Sequence, residues 1–419
     1  MKKLLQQLRT GDTFIGAYLR NNEETETPEV YDFWCALWAM SNIIGRRTFV
    51  DRPRAPVFLN WYVILVAESG TTRKSTAVRS ATEIVRAFKP PYADIIEGKT
   101  TPEKLEVTLG LQTLSQSQAH GIISISELVT FMGRDRSTMA MPGLLTDLYD
   151  SPLQRTARGS LSGGSVEMRN VFVSLLTAST PSWLQTSINP NVIAGGFTSR
   201  CIFVVSDKPK ARIAWPSMKE GGEDEVASHI IRMQERLPAY PTIQLSASAL
   251  QTFTRWYNKR LLHDDPFRSS FESREDAHVL RLAACLSIND GTFVIESEHI
   301  KIATEVIHNA KLHGYELFSV PAQERNRLEA GIEHLRAVLV ASGMAGISMA
   351  DLSLRMARHL RRTELHTTLR IMHELALVSR FELRSNGAGR PKTVWRAAPA
   401  ITAQSATEII KQRLEEDNG

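Results

Sequence analysis

The sequence predicts an α/β fold in which helices cover both faces of a parallel sheet, joined to a separate winged-helix domain nearer the C-terminal end. Four short apolar runs alternate with segments of helical periodicity, which is typical of buried parallel strands. A turn rich in glycine and threonine joins the first run to a helix. The chain has 419 residues, a length that favours two or three domains.

The amino-acid composition and the net charge limit the classes of protein to which this chain can belong. An apolar fraction of 42% and a charged fraction of 23% are typical of a soluble globular protein. The longest apolar run, Trp61 to Ala67, is too short to cross a bilayer, and the first residues lack a signal-peptide pattern. We therefore expect a cytoplasmic protein with no membrane partner. The net charge of +5 permits a nucleic-acid partner without requiring one.

Three cysteines, Cys35, Cys201 and Cys285, are widely spaced and fit no disulfide framework or zinc pattern. We expect them to be small buried apolar residues in a reducing compartment.

Changes in pattern divide the chain into five segments. Apolar residues between Tyr31 and Ile44 recur at helical spacing and predict a helical N-terminal segment over residues 1–56, with this stripe in the core. A core follows over residues 57–207, whose predicted strands are Trp61–Val66, Gly121–Ile125, Val171–Leu176 and Cys201–Val205. The remaining segments are amphipathic helices over 208–320, a compact pattern over 321–400 and a tail over 401–419.

The turn after the first strand has the features of a phosphate-binding loop. Such a loop needs converging backbone N–H groups, a lysine for the β and γ oxygens and a hydroxyl for Mg²⁺. Lys74 and Ser75 stand where the lysine and the hydroxyl are needed, between a strand and a helix. Glu68 and Arg73 occupy the two glycine positions of the usual pattern, so Arg73 must adopt backbone angles that suit glycine better.

The turn therefore predicts an ATP and Mg²⁺ site formed by Ser69, Gly70, Thr71, Thr72, Arg73, Lys74, Ser75 and Thr76. The alternative is an ordinary strand–turn–helix corner with an exposed Lys-Ser pair.

Polar residues also stand at the ends of the other strands. The second strand ends in Ser126 and Glu127; a carboxylate there can polarise an attacking water, while Ser126 replaces an acid that usually assists Mg²⁺. At the end of the third strand, Ser179, or Thr177 as second choice, could sense the γ-phosphate. Arg200, before the fourth strand, could act as a finger on the ATP of a neighbouring subunit. The alternative for Glu127 is a simple helix cap. For Ser179 it is a common run of small residues at a strand end, and for Arg200 it is a surface ion pair.

In this order and spacing, the segments over residues 57–320 resemble the AAA+ domain of minichromosome-maintenance-type replicative helicases. They are similar above all to the divergent relatives carried by phages and other mobile elements, which often have an Arg-Lys-Ser phosphate loop. The resemblance implies a P-loop ATPase core with a helical lid over 208–320, assembled as a hexameric ring with ATP between subunits.

The resemblance also implies roles for single residues. Gly121 to Met132 matches the Walker B segment, with Ser126 in place of its aspartate and beside Mg²⁺, and Glu127 as the catalytic acid. Leu176 to Pro181 matches the sensor-1 segment, with Ser179 where the family has asparagine. Two further matches place the arginine finger on Arg200 and the sensor-2 arginine on Arg274.

Between the second and third strands, two short polar runs flank a glycine-rich turn and predict a β-hairpin. The helicases that the chain resembles place a hairpin here, pointing into the ring channel. Arg155 and Arg158 are then expected to contact the phosphates of a DNA strand. The alternative is a solvated hairpin with incidental arginines.

Residues 327–397 predict three helices followed by two strands that flank a basic turn, the winged form of helix-turn-helix. We expect contact with DNA phosphates. Winged helices also serve as protein-docking modules, which is the alternative. The candidate contacts on the third helix and the wing are Arg362, Arg370, Arg384, Arg390 and Lys392.

These features favour an ATP-driven DNA translocase or replicative helicase that acts on single-stranded or forked DNA, with further replication proteins as partners. Because Ser126 removes an acid, an alternative is a catalytically weak ATP-binding initiator or loader that switches assembly on DNA. A third hypothesis is a winged-helix transcription regulator with an unrelated α/β domain, and it predicts no ATP binding.

Overall fold

The structure, a computed structural model, describes residues 1–132, 140–158, 165–187, 196–217, 219–260, 263, 266–318, 322–357, 359–374, 377–383 and 392–398. The chain divides into two compact units, Met1–Leu317 and Phe318–Gly419. The expected N-terminal segment, strand-containing core and most of the second helical segment all lie in the first unit. The expected tail, residues 401–419, lies outside the described residues.

The helices described in the first unit are α1 (Lys2–Thr10), α2 (Phe14–Asn21), α3 (Glu29–Ile44), α4 (Lys74–Phe88), α5 (Pro102–Gln116), α6 (Leu128–Phe131), α7 (Met141–Tyr149), α8 (Pro181–Ser187), α9 (Gly222–Arg236), α10 (Ala247–Asn258), α11 (Pro266–Asn289) and α12 (Ser297–Phe318). Its strands are β1 (Phe49–Val50), β2 (Val57–Phe58), β3 (Tyr62–Val66), β4 (Asp94–Ile96), β5 (Ala119–Ile125), β6 (Gln154–Arg158), β7 (Ser165–Arg169), β8 (Val171–Ser179), β9 (Cys201–Val205), β10 (Thr242–Leu245) and β11 (Val294–Ile295).

A parallel sheet with the strand order β4-β5-β8-β3-β9 forms the centre of the first unit. Every residue of β3, β5 and β8 is buried, which explains why these strands read as continuous apolar runs. The four predicted strands are therefore confirmed. The edge strand β4 was not predicted, because its three residues include an exposed Asp94 and carry too little pattern to detect.

Helix α3 is buried on every side from Tyr31 to Ile44 and packs against α4 and the central sheet. A helix that is apolar all round is a core helix. Two of its polar groups are paired with the sheet: the Tyr31 hydroxyl donates to the carbonyl of Val66 at 2.7 Å, and the Ser174 hydroxyl donates to Asn42 at 2.5 Å. The predicted N-terminal stripe is therefore part of the hydrophobic core that surrounds the central sheet.

Distant parts of the first unit are joined by short elements. The strands β11, β10, β1 and β2 form a small second sheet that links the N-terminal segment to the later helices. The backbone N–H of Ile15 in α2 donates to the side chain of Asn289, at the end of α11, at 2.8 Å. The three cysteines are buried and unpaired. Within the described residues, no helix combines the length and apolar character needed to cross a bilayer.

The second unit contains α13 (Ala322–Ala341), β12 (Ile347–Ser348), α14 (Met349–Met356), α15 (Arg362–Glu374), β13 (Val378–Leu383) and β14 (Lys392–Ala397). Its strands form an antiparallel sheet with the order β12-β14-β13. Leu335, Leu352 and Leu369, one from each helix, are buried in a hydrophobic core of their own. The predicted order of three helices and a hairpin is present in this unit.

Candidate functional site

The loops that follow β3, β5 and β8 line one cleft of about 460 Å³ at the carboxyl edge of the central sheet. Ligands of open α/β sheets bind at this edge because all parallel strands end there. The predicted residues that line the cleft are Ser69, Gly70, Arg73, Lys74, Ser75, Thr76, Ser126, Glu127 and Ser179. Thr71 and Thr72 do not line it: the Thr71 hydroxyl donates to the Glu68 carbonyl at 2.9 Å, and Thr72 is buried beneath the loop.

Lys74 is the first residue of α4, and its ammonium lies across the loop. Its Nζ donates to the carbonyl oxygens of Ala67 at 2.6 Å and of Glu68 at 2.9 Å. Burial lowers the pKa of Lys74, while the carboxylates of Glu68 and Glu127 act in the opposite direction. The cation is therefore held between backbone carbonyls, and an anion in the cleft would offer it stronger hydrogen bonds.

Arg73 adopts the conformation that its place in the loop demands. It caps the amino end of α4 in the left-handed region, with φ +52° and ψ +36°. Its side chain is anchored by an ion pair in which Nε lies 2.6 Å from a carboxylate oxygen of Glu26. Gly70 has a φ of +75°, and a Cβ there would meet no atom within 4 Å. The backbone therefore has positive φ at both Arg73 and Gly70, although only one of these two residues is a glycine.

Ser126 and Glu127 directly follow the last residue of β5, Ile125, and both are exposed. Although Glu127 is the N-cap residue of α6, its side chain makes no capping hydrogen bond to that helix. The alternative interpretation of Glu127 as a simple helix cap therefore lacks its defining contact. Its carboxylate can act on a molecule in the cleft.

Ser179 lies between Lys74 and Glu127 because β8, which ends at Ser179, lies between β3 and β5 in the sheet. Neighbouring strands are about 4.8 Å apart, so the ends of β3 and β5 are separated by roughly 10 Å. The Ser179 hydroxyl donates a long hydrogen bond, 3.4 Å, to the carbonyl of Thr180. A polar group at this place can contact a ligand that spans the distance between Lys74 and Glu127.

Arg200 and Arg274 lie away from this cleft. Arg200 ends a short 3-10 helix before β9, and β9 pairs with β3 so that Cys201 lies opposite Tyr62. Arg200 is therefore at the amino edge of the sheet, separated from the phosphate-loop edge by a five-residue strand, about 16 Å.

At that edge both guanidinium groups bind Asp150. Arg200 donates to Asp150 at 2.8 Å and Arg274 donates to it at 2.5 Å. Burial alone would raise the pKa of Asp150, but the hydrogen bonds from Arg274 and Arg200 hold it below its ordinary value. Arg200 is 7% exposed, and a further hydrogen bond joins it to the carbonyl of Gly196.

The predicted hairpin is present: β6 and β7 pair in antiparallel register from Gln154–Arg169 to Arg158–Ser165. Arg155 donates to Glu106 at 2.6 Å and approaches Asp147 at 3.4 Å, so its charge is balanced by carboxylates. The backbone of Arg158 belongs to β6, and its side chain lies outside the described part of the chain.

The predicted DNA contacts of the second unit are described in part. Arg362 and Arg370 are exposed on α15, while Leu365 and Leu369 of the same helix face the core. Arg384 and Arg390 lie outside the described residues, and Lys392 is described only as the first residue of β14.

Sequence reasoning missed two residues of these sites. Trp183, in the first turn of α8, lines the cleft; an aromatic residue so soon after a strand end that carries Ser179 was an available signal. Asp150 joins Arg200 and Arg274, which are 50 and 124 residues away in sequence, and no local pattern could reveal that pairing.

Within the described residues, no cluster of three or more histidine, cysteine, aspartate or glutamate side chains is placed to hold a metal ion. Mg²⁺ bound to a nucleotide takes most of its ligands from phosphate oxygens and water, and the hydroxyls of Ser75 and Ser126 are the groups in this cleft that could add to them. Comparison of the sequence with protein-family models and with curated proteins finds no match.

Proposed function

We propose that the cleft at the carboxyl edge of the central sheet binds and hydrolyses ATP, and that the chain is an AAA+-type ATPase that moves along DNA. One observation carries the proposal: Lys74, Ser179 and Glu127, which lie at or just beyond the ends of three different strands, line a single cleft at the amino end of α4. The left-handed Arg73 and the positive φ of Gly70 support a loop whose backbone N–H groups face an anion.

Each residue has a role that follows from its position. Lys74 exchanges its bonds to the carbonyls of Ala67 and Glu68 for bonds to the β and γ phosphates. The Ser75 hydroxyl, exposed in the cleft, would hold Mg²⁺, which supplies positive charge to the transferring phosphoryl group. Glu127 accepts a proton from the attacking water or orients that water, and Ser179 contacts the γ-phosphate between them.

The position of Arg200 supports assembly of several copies. A residue at the amino edge of the sheet cannot reach the nucleotide in its own carboxyl-edge cleft, so any role for Arg200 in hydrolysis is in a neighbouring subunit. Arg274 is the more accessible of the two cations, with a side chain 30% exposed, and both are released from Asp150 if they turn toward a neighbour's phosphates. In a ring, the ATP cleft of each subunit faces the amino edge of the sheet in its neighbour. The expected form of this ring is a hexamer.

DNA binding is proposed for the β6–β7 hairpin and for the second unit. Three helices followed by an antiparallel hairpin are consistent with a winged helix, whose third helix enters the major groove. Arg362 and Arg370 are exposed on that helix and positioned for phosphate contacts. Arg155 takes part only if DNA displaces Glu106 and Asp147 from its guanidinium group.

A second candidate function is an ATP-dependent initiator or loader that switches assembly without rapid turnover. Two observations favour it. Ser126 supplies a hydroxyl where a carboxylate would strengthen Mg²⁺ binding, and Arg200 is buried against Asp150. Binding of ATP would then set the contact between copies, and hydrolysis would only reset it.

The experiment compares Lys74→Ala with the matched variant Lys104→Ala, which removes an exposed lysine of α5. ATP affinity is measured by calorimetry and turnover by phosphate release. Lys74→Ala is expected to lose binding or hydrolysis, while Lys104→Ala keeps both. Unchanged binding and hydrolysis in Lys74→Ala would exclude this cleft as the ATP site. Turnover that single-stranded DNA stimulates favours the translocase, and slow turnover that DNA leaves unchanged favours the switch.

A further inference from the structure

A second cleft, of about 930 Å³, lies at the amino edge of the central sheet. Residues from the β1–β2 loop, from the segment after α7 and from α11 line it. Two carboxylates, Asp150 and Asp276, face six guanidinium groups in this cleft. The arginines are Arg46, Arg47, Arg52, Arg54, Arg274 and Arg281.

Half of these arginines are used by the protein itself. Arg52 donates to Asp276 at 2.8 Å, and Arg274 donates to Asp150. Arg281 is buried and donates to the carbonyl of Phe58 at 2.7 Å and to the Tyr149 hydroxyl. Both carboxylates of the cleft are thereby engaged.

The other three arginines, Arg46, Arg47 and Arg54, form no ion pair within the described residues. The guanidinium carbon of Arg46 lies 3.9 Å from the centre of the Phe58 ring, so the ring covers one face of the cation and leaves its N–H edge available. Burial lowers the pKa of Arg46 to about 10. Arg54 is exposed on the β1–β2 loop. This half of the cleft therefore has positive charge that lacks a counter-ion in the described chain.

The cleft also reaches the base of the β6–β7 hairpin. Leu153 and Asn170, which directly precede β6 and follow β7, both line it, and Leu153 is 73% exposed. A chain-like ligand that lies along the hairpin would enter the cleft at this point. The space is about twice that of the ATP cleft, which exceeds the need of a single anion.

We propose that this amino-edge cleft binds the sugar-phosphate backbone of a single-stranded nucleic acid, with Arg46 and Arg54 as phosphate contacts. The inference deepens the proposed DNA-binding function, since the strand would continue from the hairpin into the cleft. It does not depend on ATP hydrolysis. Guanidinium groups bind phosphate oxygens through paired N–H donors, and the half-buried ring of Phe49, which lines the cleft, could stack on any base. Binding is therefore expected to be independent of base sequence.

The test measures the anisotropy of a fluorescent oligothymidylate titrated with full-length protein, without nucleotide, over a series of salt concentrations. The variant Arg46→Gln/Arg54→Gln is compared with Arg232→Gln/Arg255→Gln, which removes the same charge from exposed arginines of α9 and α10. We expect the cleft variant to bind about tenfold more weakly at low salt. The slope of log K against log salt should become shallower by roughly 1.4, because each lost phosphate contact contributes about 0.7. The control variant should keep the wild-type slope.

Equal affinity and equal slope for the two double variants would overturn the proposal. So would weaker binding that accompanies a loss of self-association in light scattering, because Arg46 and Arg54, and not only Arg200 and Arg274, would then serve contact between copies. If Arg46→Gln unfolds the protein, the exposed single substitution Arg54→Gln tests the same point, with an expected slope change of about 0.7. Lys74→Ala separates this inference from the ATP site, since it should bind the oligonucleotide normally even if ATP binding is lost.

Discussion

Arg274 holds both carboxylate oxygens of Asp150, at 2.5 Å and 3.2 Å, in a two-point ion pair. Arg200 donates to one of the same oxygens at 2.8 Å. Two cations therefore share one anion, and a phosphate group that approached this edge would compete with Asp150 for both of them. The pairing fixes two arginines that the sequence places far apart at one edge of the sheet.

The first prediction concerns Arg200. Arg200→Ala should bind ATP nearly as the wild type does and hydrolyse it about 10³-fold more slowly, because the finger cation acts only on the transition state. Calorimetry and phosphate release provide the two measurements.

Mixing supplies the control for Arg200. Equimolar Arg200→Ala and Lys74→Ala subunits should recover part of the activity, since some interfaces then join an intact cleft to an intact Arg200. Wild-type turnover in Arg200→Ala alone would rule out a finger at this position.

The second prediction concerns the end of β5. Glu127→Gln should retain ATP and lose turnover by about 10²–10⁴, because the amide keeps the shape of the side chain but cannot accept a proton. Ser126→Asp should raise the affinity for Mg²⁺ or the rate by restoring a charge. Normal turnover in Glu127→Gln, together with an inactive Ser126→Asp, would mean that a different acid serves the reaction. Of the nearest acids in sequence, Asp147 approaches Arg155, and Asp135 lies outside the described residues.

The third prediction concerns the backbone of the phosphate loop. Arg73→Gly should keep ATP binding and change the free energy of unfolding little, since the loss of the ion pair with Glu26 opposes the relief of left-handed strain. Arg73→Val should weaken both ATP binding and stability, because a β-branched residue resists positive φ. Calorimetry and thermal unfolding of the two variants decide the matter. Equal behaviour of Gly and Val would show that the left-handed conformation of this residue is not required.

The fourth prediction concerns pH and the buried Asp32 of α3. Its carboxylate accepts a hydrogen bond from Thr27 at 2.8 Å and lies 3.5 Å from the ammonium of Lys210. Burial raises the pKa of Asp32 to about 7, although Lys210, Thr27 and Arg9 act in the opposite direction. The folded protein therefore keeps a proton that the unfolded chain releases near pH 4, so this residue makes the free energy of unfolding fall between about pH 4 and pH 7.

Urea unfolding at pH 5 and pH 8 measures that effect. Asp32→Asn should lose less stability over this interval than the wild type, by an amount on the order of a few kcal/mol at most. The control is Asp51→Asn, which changes an exposed aspartate after β1 and should leave the wild-type pH dependence in place. The same pH dependence in all three proteins would show that Asp32 does not titrate in this range.

Local pattern predicted much of this architecture. The continuous apolar runs predicted β3, β5, β8 and β9 as buried strands, and the turn after β3 predicted that a helix, α4, follows it. The residues expected at three strand ends meet in one cleft because parallel strands share a carboxyl edge. Local pattern does not show which residues pair when they are far apart in the sequence. The contacts of Asp150 with Arg274, of Glu26 with Arg73 and of Arg155 with Glu106 depend on the tertiary fold, so the sequence did not reveal that carboxylates bind these arginines.

The hydrogen bond between Ile15 and Asn289 spans 274 residues and has a consequence for how the chain is made. A nascent chain must be synthesised beyond residue 289 before α2 can find this partner, and closing so long a loop slows folding. Until the central sheet has formed, the apolar surface of α3, with Trp34 and Trp38, has no partner and is prone to aggregation. Substitutions that loosen α2 from α11 are therefore expected to lower the yield of folded protein during synthesis before they alter any activity of the folded form.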